Sequence, residues 1–283
     1  MRCFSLEYTI DDIHKADLKI MNEFVRICEK YHFEYYIIGG TFLGAIRHKG
    51  FIPWDDDMDI ALPRKYFNEF LKVANKELPQ NMELLTFQND TNLRYYLPKI
   101  VDKNVQIVEK RNEDKGVTIQ VFIDIFPIDG TPNNKILRKI YYFKILYYRM
   151  LIAWYYIDEI DKNKKRKFHE KLLISIGKKL PTKRFISIKK VFYKLDRLLQ
   201  RNSYESSNFV GTIMGAYKTR EIVPKEYFGK PVPYSFEDTL LTGPSMYHEY
   251  LTHMYGDYMK PPKNKFANQH LVFQDNEFEK EEE

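Results

Sequence analysis

The sequence predicts an α+β protein built around a mixed sheet, and three observations lead to this fold class. Helical and strand-like segments alternate irregularly along the 283 residues, which does not fit a regular βαβ repeat. An apolar strand runs into a Gly39-Gly40 turn and a short helix, and a carboxylate cluster at 55–59 follows. A basic and aromatic stretch at 134–205 has helical periodicity and separates the β-rich segments. A chain of this length can bury one large core that carries such an insertion.

The first 133 residues contain most of the predicted strands. Apolar residues recur at helical spacing after Thr9, so a helix is predicted over 9–32. Thr9 can cap the N-terminus of this helix. Thr41 is predicted to cap a short helix over 41–46. Alternating patterns and turn residues predict strands at 33–38, 57–62, 82–87, 93–101, 105–109 and 118–125. A helix is predicted after Pro63, with these residues on its buried side: Phe67, Phe70, Leu71, Ala74 and Leu78.

The remaining chain divides into two parts. Residues 134–205 are predicted to form a helical insertion, and residues 206–283 are predicted to complete the domain begun by residues 1–133. A basic aromatic helix over 135–156 opens the insertion, and it has two interpretations. It is either an ordinary packed helix with exposed lysines or a surface that rests on an anionic membrane.

The composition restricts the function classes. Basic residues outnumber acidic ones by 45 to 39, and a net charge of +6 falls short of a dedicated nucleic-acid binder, so no nucleic-acid partner is expected. Only Cys3 and Cys28 occur, which argues against a disulfide framework and predicts a reducing cytoplasm. The sequence predicts neither a signal peptide nor a membrane-spanning segment.

Four carboxylates lie within five residues, at Asp55, Asp56, Asp57 and Asp59. Side chains alternate along an extended strand, so Asp57 and Asp59 are expected on the same face. Two carboxylates on one face repel each other unless a cation lies between them, which predicts a Mg²⁺ or Mn²⁺ site. The alternative is a solvated acidic turn.

A further carboxylate, Asp124, lies within the apolar segment 121–127. Burying it alone would be costly, so it either pairs with a basic residue in the core or completes the metal site from a neighbouring strand. The Asp57 and Asp59 pair favours the metal site. Asp129 precedes a glycine, a dipeptide typical of turns, and is predicted to be a turn residue.

Phosphate-binding features surround the acids. Gly39, Gly40 and Thr41 begin a helix whose backbone amides can bind phosphate oxygens. At least one member of the basic triplet that follows is expected to contact a substrate phosphate: Arg47, His48 and Lys49. Arg47 is preferred, because its guanidinium group can bind bidentately. Lys99 is a second candidate, with an ordinary surface lysine as the alternative.

These motifs carry a resemblance to a known family. Residues 39–60 closely resemble the signature of the LicD phosphocholine transferase family, which includes fukutin-type alditol-phosphate transferases. Segments 122–130 and 255–262, followed by His270, resemble later blocks of that family in the same order, whereas 134–205 carries no matching motif. The resemblance implies a nucleotidyltransferase-type fold with three metal ligands: Asp57, Asp59 and Asp124. It also implies donor-site roles for three other residues: Asp55, Asp56 and His270. A structural role is the alternative for His270.

The resemblance also implies an activity. Members of the family transfer a phospho-alcohol from a CDP-activated donor to a sugar hydroxyl, so the chain is expected to move phosphocholine from CDP-choline to a cell-surface glycan precursor and release CMP. Teichoic acid, capsule and lipopolysaccharide are the glycan types. The expected location is the cytoplasm, with membrane contact left open. A quaternary ammonium favours an aromatic cage, and Trp54 is either a wall of that cage or part of the packed fold.

Three alternative functions remain open at this point. The donor could be CDP-glycerol or CDP-ribitol with the same chemistry. A nucleotidyl transfer from an NTP to a sugar or small molecule would use a similar acidic site. A non-catalytic protein that binds a membrane or an anionic polymer would use the basic helices but would leave the acidic cluster unexplained.

Overall fold

The structure, a computed structural model, describes residues 8–89, 96–109, 117–159 and 168–262. Within these ranges nine α-helices and nine β-strands form one mixed architecture, which confirms the predicted α+β class. The helices are α1 (Ile10–Tyr31), α2 (Gly39–Arg47), α3 (Arg64–Glu77), α4 (Lys135–Tyr155), α5 (Phe168–Lys179), α6 (Thr182–Phe185), α7 (Ile188–Leu199), α8 (Lys225–Phe228) and α9 (Tyr247–Tyr255). The strands are β1 (Tyr36–Ile37), β2 (Asp59–Pro63), β3 (Met82–Leu85), β4 (Lys99–Glu109), β5 (Val117–Gly130), β6 (Phe209–Gly211), β7 (Ile222–Pro224), β8 (Val232–Phe236) and β9 (Thr239–Gly243).

A central sheet of seven strands organises the core. Its main path runs β1-β2-β5-β4-β3, and every pair along it is antiparallel except β2 and β5, which run parallel. β6 pairs with the end of β5, and β7 pairs with β6. β8 and β9 form a separate hairpin. The parallel strands β2 and β5 lie inside the path, between β1 on one side and β4 on the other. Side chains on these two strands are therefore positioned by hydrogen-bonded neighbours on both sides.

Helix α1 follows from its sequence. Thr9 caps it, and the side chains of Thr9 and Asp12 exchange hydrogen bonds with each other's backbone amides in a capping box, as the sequence indicated for the cap residue. Its apolar face, including Ile13, Ile20 and Phe24, is fully buried in the main core. The helix ends at His32, which adopts a left-handed conformation with φ of 56°.

Several predicted boundaries differ from the structure for local reasons. Helix α2 begins at Gly39, not at Thr41, and has no side-chain cap. β2 begins at Asp59, so Asp57 is not part of the strand. Within the described residues, the strands predicted at 93–101 and 105–109 are one strand, β4. Its pairing with β5 has a register shift between Asp102 and Gln106.

The prediction of a turn at Asp129 was wrong. β5 continues through Gly130, because its second half pairs with β2 and then with β6. Asp129 is only 1% exposed, and its carboxylate accepts two hydrogen bonds of 2.6 Å from the Arg64 guanidinium. Tyr96 and Asp196 complete this buried cluster: the Tyr96 hydroxyl donates to Asp196, and Arg64 also donates to Asp196.

Helices α4 to α7 occupy the stretch predicted as an insertion. Buried side chains of α4 and α7, such as Tyr141, Ile145 and Phe192, form a second hydrophobic cluster together with Tyr96 and Ile213. The division of the chain at 133 and 205 remains a prediction. Among the described helices, none combines the length and the apolar character that a membrane crossing requires.

Candidate active site

Three strands place charged side chains side by side at one edge of the sheet. Asp59 on β2 is the register partner of Asp124 on the parallel strand β5. Asp124 is also the register partner of Lys99 on β4. Lys99 Nζ lies 3.3 Å from Asp124 Oδ1 and 3.2 Å from the centroid of the Phe122 ring. Both alternatives for Asp124 are therefore present, since it pairs with a base and also adjoins Asp59.

The loop before β2 contributes three more carboxylates. Asp55, Asp56 and Asp57 each offer an oxygen within 4.8 Å of the other two. Asp57 therefore belongs to a loop cluster and not to a strand face shared with Asp59, which corrects the geometry expected from alternation. Asp59 is not a member of this tight triplet, but Asp57 is close enough to affect its titration.

The acids lie together in a partly buried environment with a deficit of positive charge, and Asp56 is the most buried of them. Burial raises the pKa of Asp59 well above its ordinary value, and repulsion from Asp57 and Asp124 raises it further. Burial and the neighbouring Asp57 and Asp56 raise the pKa of Asp55 in the same way, although Arg47 opposes this shift. Such a group of buried carboxylates is stable in its charged form only when a cation joins it.

The donor set fits a hard divalent cation. Carboxylate oxygens are the ligands that Mg²⁺ and Mn²⁺ prefer. Asp124 Oδ1 is buried and accepts no hydrogen bond within the described part of the chain, although the Lys99 ammonium lies 3.3 Å away as an ion-pair partner. The residues present therefore fit the predicted metal, and the ligand set Asp57, Asp59 and Asp124 remains a prediction.

The double glycine allows the acids to approach the start of α2. Gly39 has a φ of +58°, and a Cβ added there would lie 2.6 Å from Asp59 Oδ2. A Cβ at Gly40 would overlap Asp55 Oδ2. Both glycines therefore admit carboxylates to a helix N-terminus, whose partial positive charge stabilises negative groups. Phosphate binding by these amides remains a prediction.

Thr41 has a different role from the predicted cap. It is buried inside α2, and its hydroxyl accepts a hydrogen bond of 2.8 Å from the Asp59 amide. This bond joins α2 to the first residue of β2. Thr41 therefore fixes the backbone position of one of the predicted metal ligands.

The basic triplet divides between the site and the surface. Arg47 is half-buried, donates to the Tyr258 carbonyl at 3.0 Å and lies close enough to Asp55 to interact electrostatically. His48 is exposed and makes an edge-on contact with Trp54 at 6.1 Å. Lys49 is exposed, with a φ of 63°, and its carbonyl accepts the Glu237 amide. The structure thus brings Arg47 closest to the acids.

Two other predicted residues have separate outcomes. Trp54 is partly buried, packs against the main core and contacts His48, and a role as a wall of a choline cage stays a prediction. His270 lies outside the described residues.

Sequence reasoning missed Asp17 on α1. Asp17 is 1% exposed, and neither of its carboxylate oxygens has a hydrogen-bond partner within the described ranges. Burial raises its pKa well above the ordinary value, and Asp57, Asp56 and Asp55 raise it further. One turn earlier, His14 Nε2 lies 2.7 Å from the Asp55 carbonyl, so this face of α1 packs on the acidic loop. The available signal was an acid at a core-facing position of an amphipathic helix.

Tyr217 and Tyr255 were also missed. Their rings meet edge to face at 5.6 Å. Burial raises the pKa of both hydroxyls, and Asp55 and Asp59 add to the shift. Both tyrosines are therefore close enough to Asp55 and Asp59 to interact with them electrostatically, and the high tyrosine content of the chain gave no signal for their position.

Comparisons with known proteins identify relatives of this chain. The family model described as "LicD/FKTN/FKRP, nucleotidyltransferase domain" matches residues 32–171, which include the glycine turn, the acidic loop and Asp124. The "Lipopolysaccharide cholinephosphotransferase LicD" of Haemophilus influenzae is 32% identical over 273 residues, covering 90% of this chain and 93% of that protein.

Two shorter similarities involve uncharacterized proteins. One from Rickettsia typhi is 36% identical over 66 residues, and one from Rickettsia prowazekii is 43% identical over 44 residues. They cover 23% and 16% of this chain. The similarity to the Haemophilus protein, by contrast, runs through nearly the whole length of both chains, and the family match contains the central acids. The chain therefore belongs to the LicD family.

Proposed function

We propose that the protein is a metal-dependent phosphotransferase that moves phosphocholine from CDP-choline to a hydroxyl group of a cell-surface glycan precursor. The hydroxyl oxygen forms a bond to the phosphorus of the phosphocholine group, the bond from that phosphorus to the CMP oxygen breaks, and the hydroxyl proton leaves. The observation that supports this most strongly is the buried acid cluster around Asp59 and Asp124, in a chain aligned over 90% of its length with a named cholinephosphotransferase.

The predicted ligands Asp57, Asp59 and Asp124 would hold Mg²⁺ or Mn²⁺, which supplies neutralisation of the donor diphosphate. Lys99 and Arg47 would add positive charge where the phosphoryl group is transferred. Asp55 or Asp56 would orient or deprotonate the attacking hydroxyl, and the raised pKa of Asp55 suits that residue to accept a proton. The amides of Gly39, Gly40 and Thr41 would bind donor oxygens at the start of α2.

The choline end of the donor requires an aromatic environment. A quaternary ammonium binds over the faces of Trp and Tyr rings. Trp54 is one candidate wall, and the Tyr217–Tyr255 pair beside Asp55 and Asp59 is another. Either wall would distinguish choline from an alditol, which carries no positive charge.

We place this reaction in the cytoplasm, at or near the inner face of the membrane, with a glycan or lipid-linked glycan as the acceptor. A nucleotide-activated donor and the low cysteine content, with only Cys3 and Cys28 in the sequence, support this location. No nucleic-acid partner is part of the proposal.

Product analysis with a panel of donors tests the function. The purified chain is incubated with Mg²⁺ and either CDP-choline, CDP-glycerol or CDP-ribitol, with and without glycan acceptors, and CMP is measured. We expect acceptor-dependent CMP release with CDP-choline. Release with only the alditol donors would reassign the donor. Pyrophosphate from an NTP, with no CMP, would indicate nucleotidyl transfer, and binding without any turnover would favour a non-catalytic protein.

A further inference from the structure

Positive charge is concentrated in one part of the chain. Residues 134–205 contain 20 Lys and Arg against 6 Asp and Glu, a net charge of +14. The rest of the chain contains 25 Lys and Arg against 33 Asp and Glu, a net charge of −8. The overall charge of +6 therefore hides an acidic body and a strongly basic helical region.

The same region exposes large apolar side chains. Helix α4 buries Tyr141, Tyr142 and Ile145 on one face. On the opposite face Ile136, Ile140, Phe143 and Tyr147 follow one another at steps of four, three and four residues, with exposures of 69%, 48%, 75% and 54%. That spacing forms a continuous apolar stripe along the helix.

Lysines flank this stripe, and a neighbouring helix also exposes apolar side chains. Lys139 and Lys144 lie between the apolar members of the stripe in sequence and are exposed. Helix α5, which contacts α4, exposes Leu172, Leu173 and Ile176. Among the described residues, 11 of the 16 exposed large hydrophobic side chains belong to 134–205, so exposed apolar side chains are concentrated in the basic part of the chain.

An open groove lies beside the stripe, between α4 and the end of α7. Its volume is about 580 Å³, and it is lined by Ile140, Phe143, Lys144, Tyr147, Tyr148, Leu198 and Arg201. Apolar and aromatic walls are combined there with two cationic groups. Such a groove suits an amphiphile that has a negatively charged head and an apolar chain.

We propose that this surface, the α4–α5 face, docks the protein on a bilayer rich in anionic lipids. Its lysines pair with lipid phosphates while its aromatic and aliphatic side chains enter the interfacial region. A nucleic acid would use the lysines but would gain little from Ile136, Ile140 or Leu172. A protein partner would not account for a net charge of +14 combined with aliphatic side chains along two helices. Charge complementarity with the anionic surface therefore selects lipid as the occupant.

Vesicle sedimentation of the full-length chain tests the docking surface. Vesicles of phosphatidylcholine with and without phosphatidylglycerol are compared, so that any binding of choline headgroups by the active site is common to both. We expect binding that requires phosphatidylglycerol and weakens with added salt. Equal binding to both vesicle types, or none to either, would overturn the proposal.

Matched variants locate the contact. Lys139→Glu with Lys144→Glu, and separately Phe143→Ser with Tyr147→Ser, are each expected to lower the vesicle partition coefficient about tenfold or more. The controls are Lys76→Glu with Lys103→Glu, and Leu240→Ser, whose side chain is 61% exposed on β9. These controls should leave partitioning within about twofold of the wild type, which is the usual range for unrelated surface changes. Equal effects of both sets would overturn the proposal.

Two further measurements separate the other occupants. A nucleic-acid surface would give a different result. RNA would bind tightly, the charge reversals would weaken RNA binding, and Phe143→Ser with Tyr147→Ser would not alter vesicle binding. If sedimentation shows a dimer that Phe143→Ser dissociates and that does not bind vesicles, a second copy covers the face. The donor site is read out independently, because a thermal shift with CDP-choline and Mg²⁺ does not involve α4. Loss of vesicle binding alone therefore leaves the proposed function intact.

Discussion

Two clusters of buried charge lie in this protein, and they are built in opposite ways. In one, Arg64 meets Asp129 and Asp196, and every charged group has a hydrogen-bonded partner of opposite sign. Burial alone would lower the pKa of Arg64, but Asp129 raises it above its ordinary value. In the acid cluster around Asp59, carboxylates face other carboxylates, so repulsion adds to burial in raising the pKa values of Asp55 and Asp59, whereas Arg64 opposes the effect of burial on the pKa of Asp129.

The difference predicts a structural role for the cluster around Arg64 and a chemical role for the cluster around Asp59. A balanced, hydrogen-bonded pair is complete without any ligand, and removing one partner leaves a buried charge. A group of like charges is incomplete and gains stability from a cation. The same residue type, aspartate, is therefore structural at 129 and a candidate ligand at 59. The following predictions test this contrast, from the largest expected effect to the smallest.

Asp59→Asn is expected to have the largest effect on activity. Removing this carboxylate takes away a predicted metal ligand beside Asp124, so turnover of CDP-choline should fall by about 10³-fold. The free energy of unfolding of the metal-free protein should not fall, because a repelled charge is lost. CMP release and urea denaturation measure the two quantities. Turnover within about twofold of the wild type, the range of an unrelated surface change, would exclude Asp59 from the mechanism.

Asp129→Asn is expected to show the reverse pattern. It leaves Arg64 buried with a weakened partner, so the free energy of unfolding should fall by about 3 kcal/mol. The variant that remains folded should keep its Mg²⁺-dependent thermal shift, because Asp129 is not among the predicted ligands. Denaturant unfolding and a Mg²⁺ titration measure these effects. A loss of the Mg²⁺ shift in folded Asp129→Asn protein would contradict the separation of the two clusters.

Mg²⁺ is expected to stabilise the protein more at high pH than at low pH. The raised pKa values of Asp55 and Asp59 mean that the metal-free folded state binds protons more readily than the unfolded state, so its stability falls as pH rises through these pKa values. Mg²⁺ replaces those protons. At a free Mg²⁺ concentration of about 100 times the dissociation constant, the ion should add about 2.7 kcal/mol to the free energy of unfolding. The gain should be smaller at low pH, where protons compete with Mg²⁺ for the carboxylates.

Thermal unfolding at about pH 6 and about pH 8, with Mg²⁺ or with a chelator, measures this prediction. The Asp59→Asn variant provides the control, since its Mg²⁺ shift should be smaller at both values. A Mg²⁺ shift that grows as pH falls would show that the cluster does not bind the ion through ionised carboxylates.

Asp17→Asn is expected to have the smallest effect. Its buried carboxyl has no hydrogen-bond partner in the described ranges and is repelled by the acidic loop, so the metal-free variant should gain about 1 kcal/mol in the free energy of unfolding. Asp12→Asn, on the same helix, is the control. The pKa of Asp12 is lowered by its hydrogen bonds to Thr9, so neutralising it should destabilise the chain. Destabilisation by both variants would show that Asp17 is held in its charged form by a partner.

Most of the architecture could be read from local patterns. The 3.6-residue period and Thr9 gave α1 nearly to the residue, and the turn and apolar run gave β1, α2 and β2 in the right order. Boundaries failed where tertiary contacts extended an element, as at Asp129, which β6 holds in an extended strand just beyond the β2 ladder. A turn dipeptide is a local preference, and the pairing with β6 overrides it.

The candidate site was predicted in part for the same reason. Asp59 was recognised as a member of the acidic cluster and Asp124 from its apolar surroundings, and the structure makes them register partners. Asp57 was assigned to the same strand face as Asp59, because the alternation of side chains along a strand does not reveal the residue at which the strand begins. In the structure β2 begins at Asp59. Asp17, Tyr217 and Tyr255 come from α1, from the turn before β7 and from α9, so no local pattern could bring them to the acids.

The sequence by itself determined the fold class, the family resemblance, and the presence of a glycine turn next to a group of acids. These features depend on residues close together in the chain, where spacing fixes geometry. Only the tertiary structure decided which aspartates are neutralised by a cationic side chain and which repel one another, and that the apolar residues of α4 face outward among lysines. Whether a charge is compensated depends on neighbours that are distant in sequence, and those neighbours are set by packing.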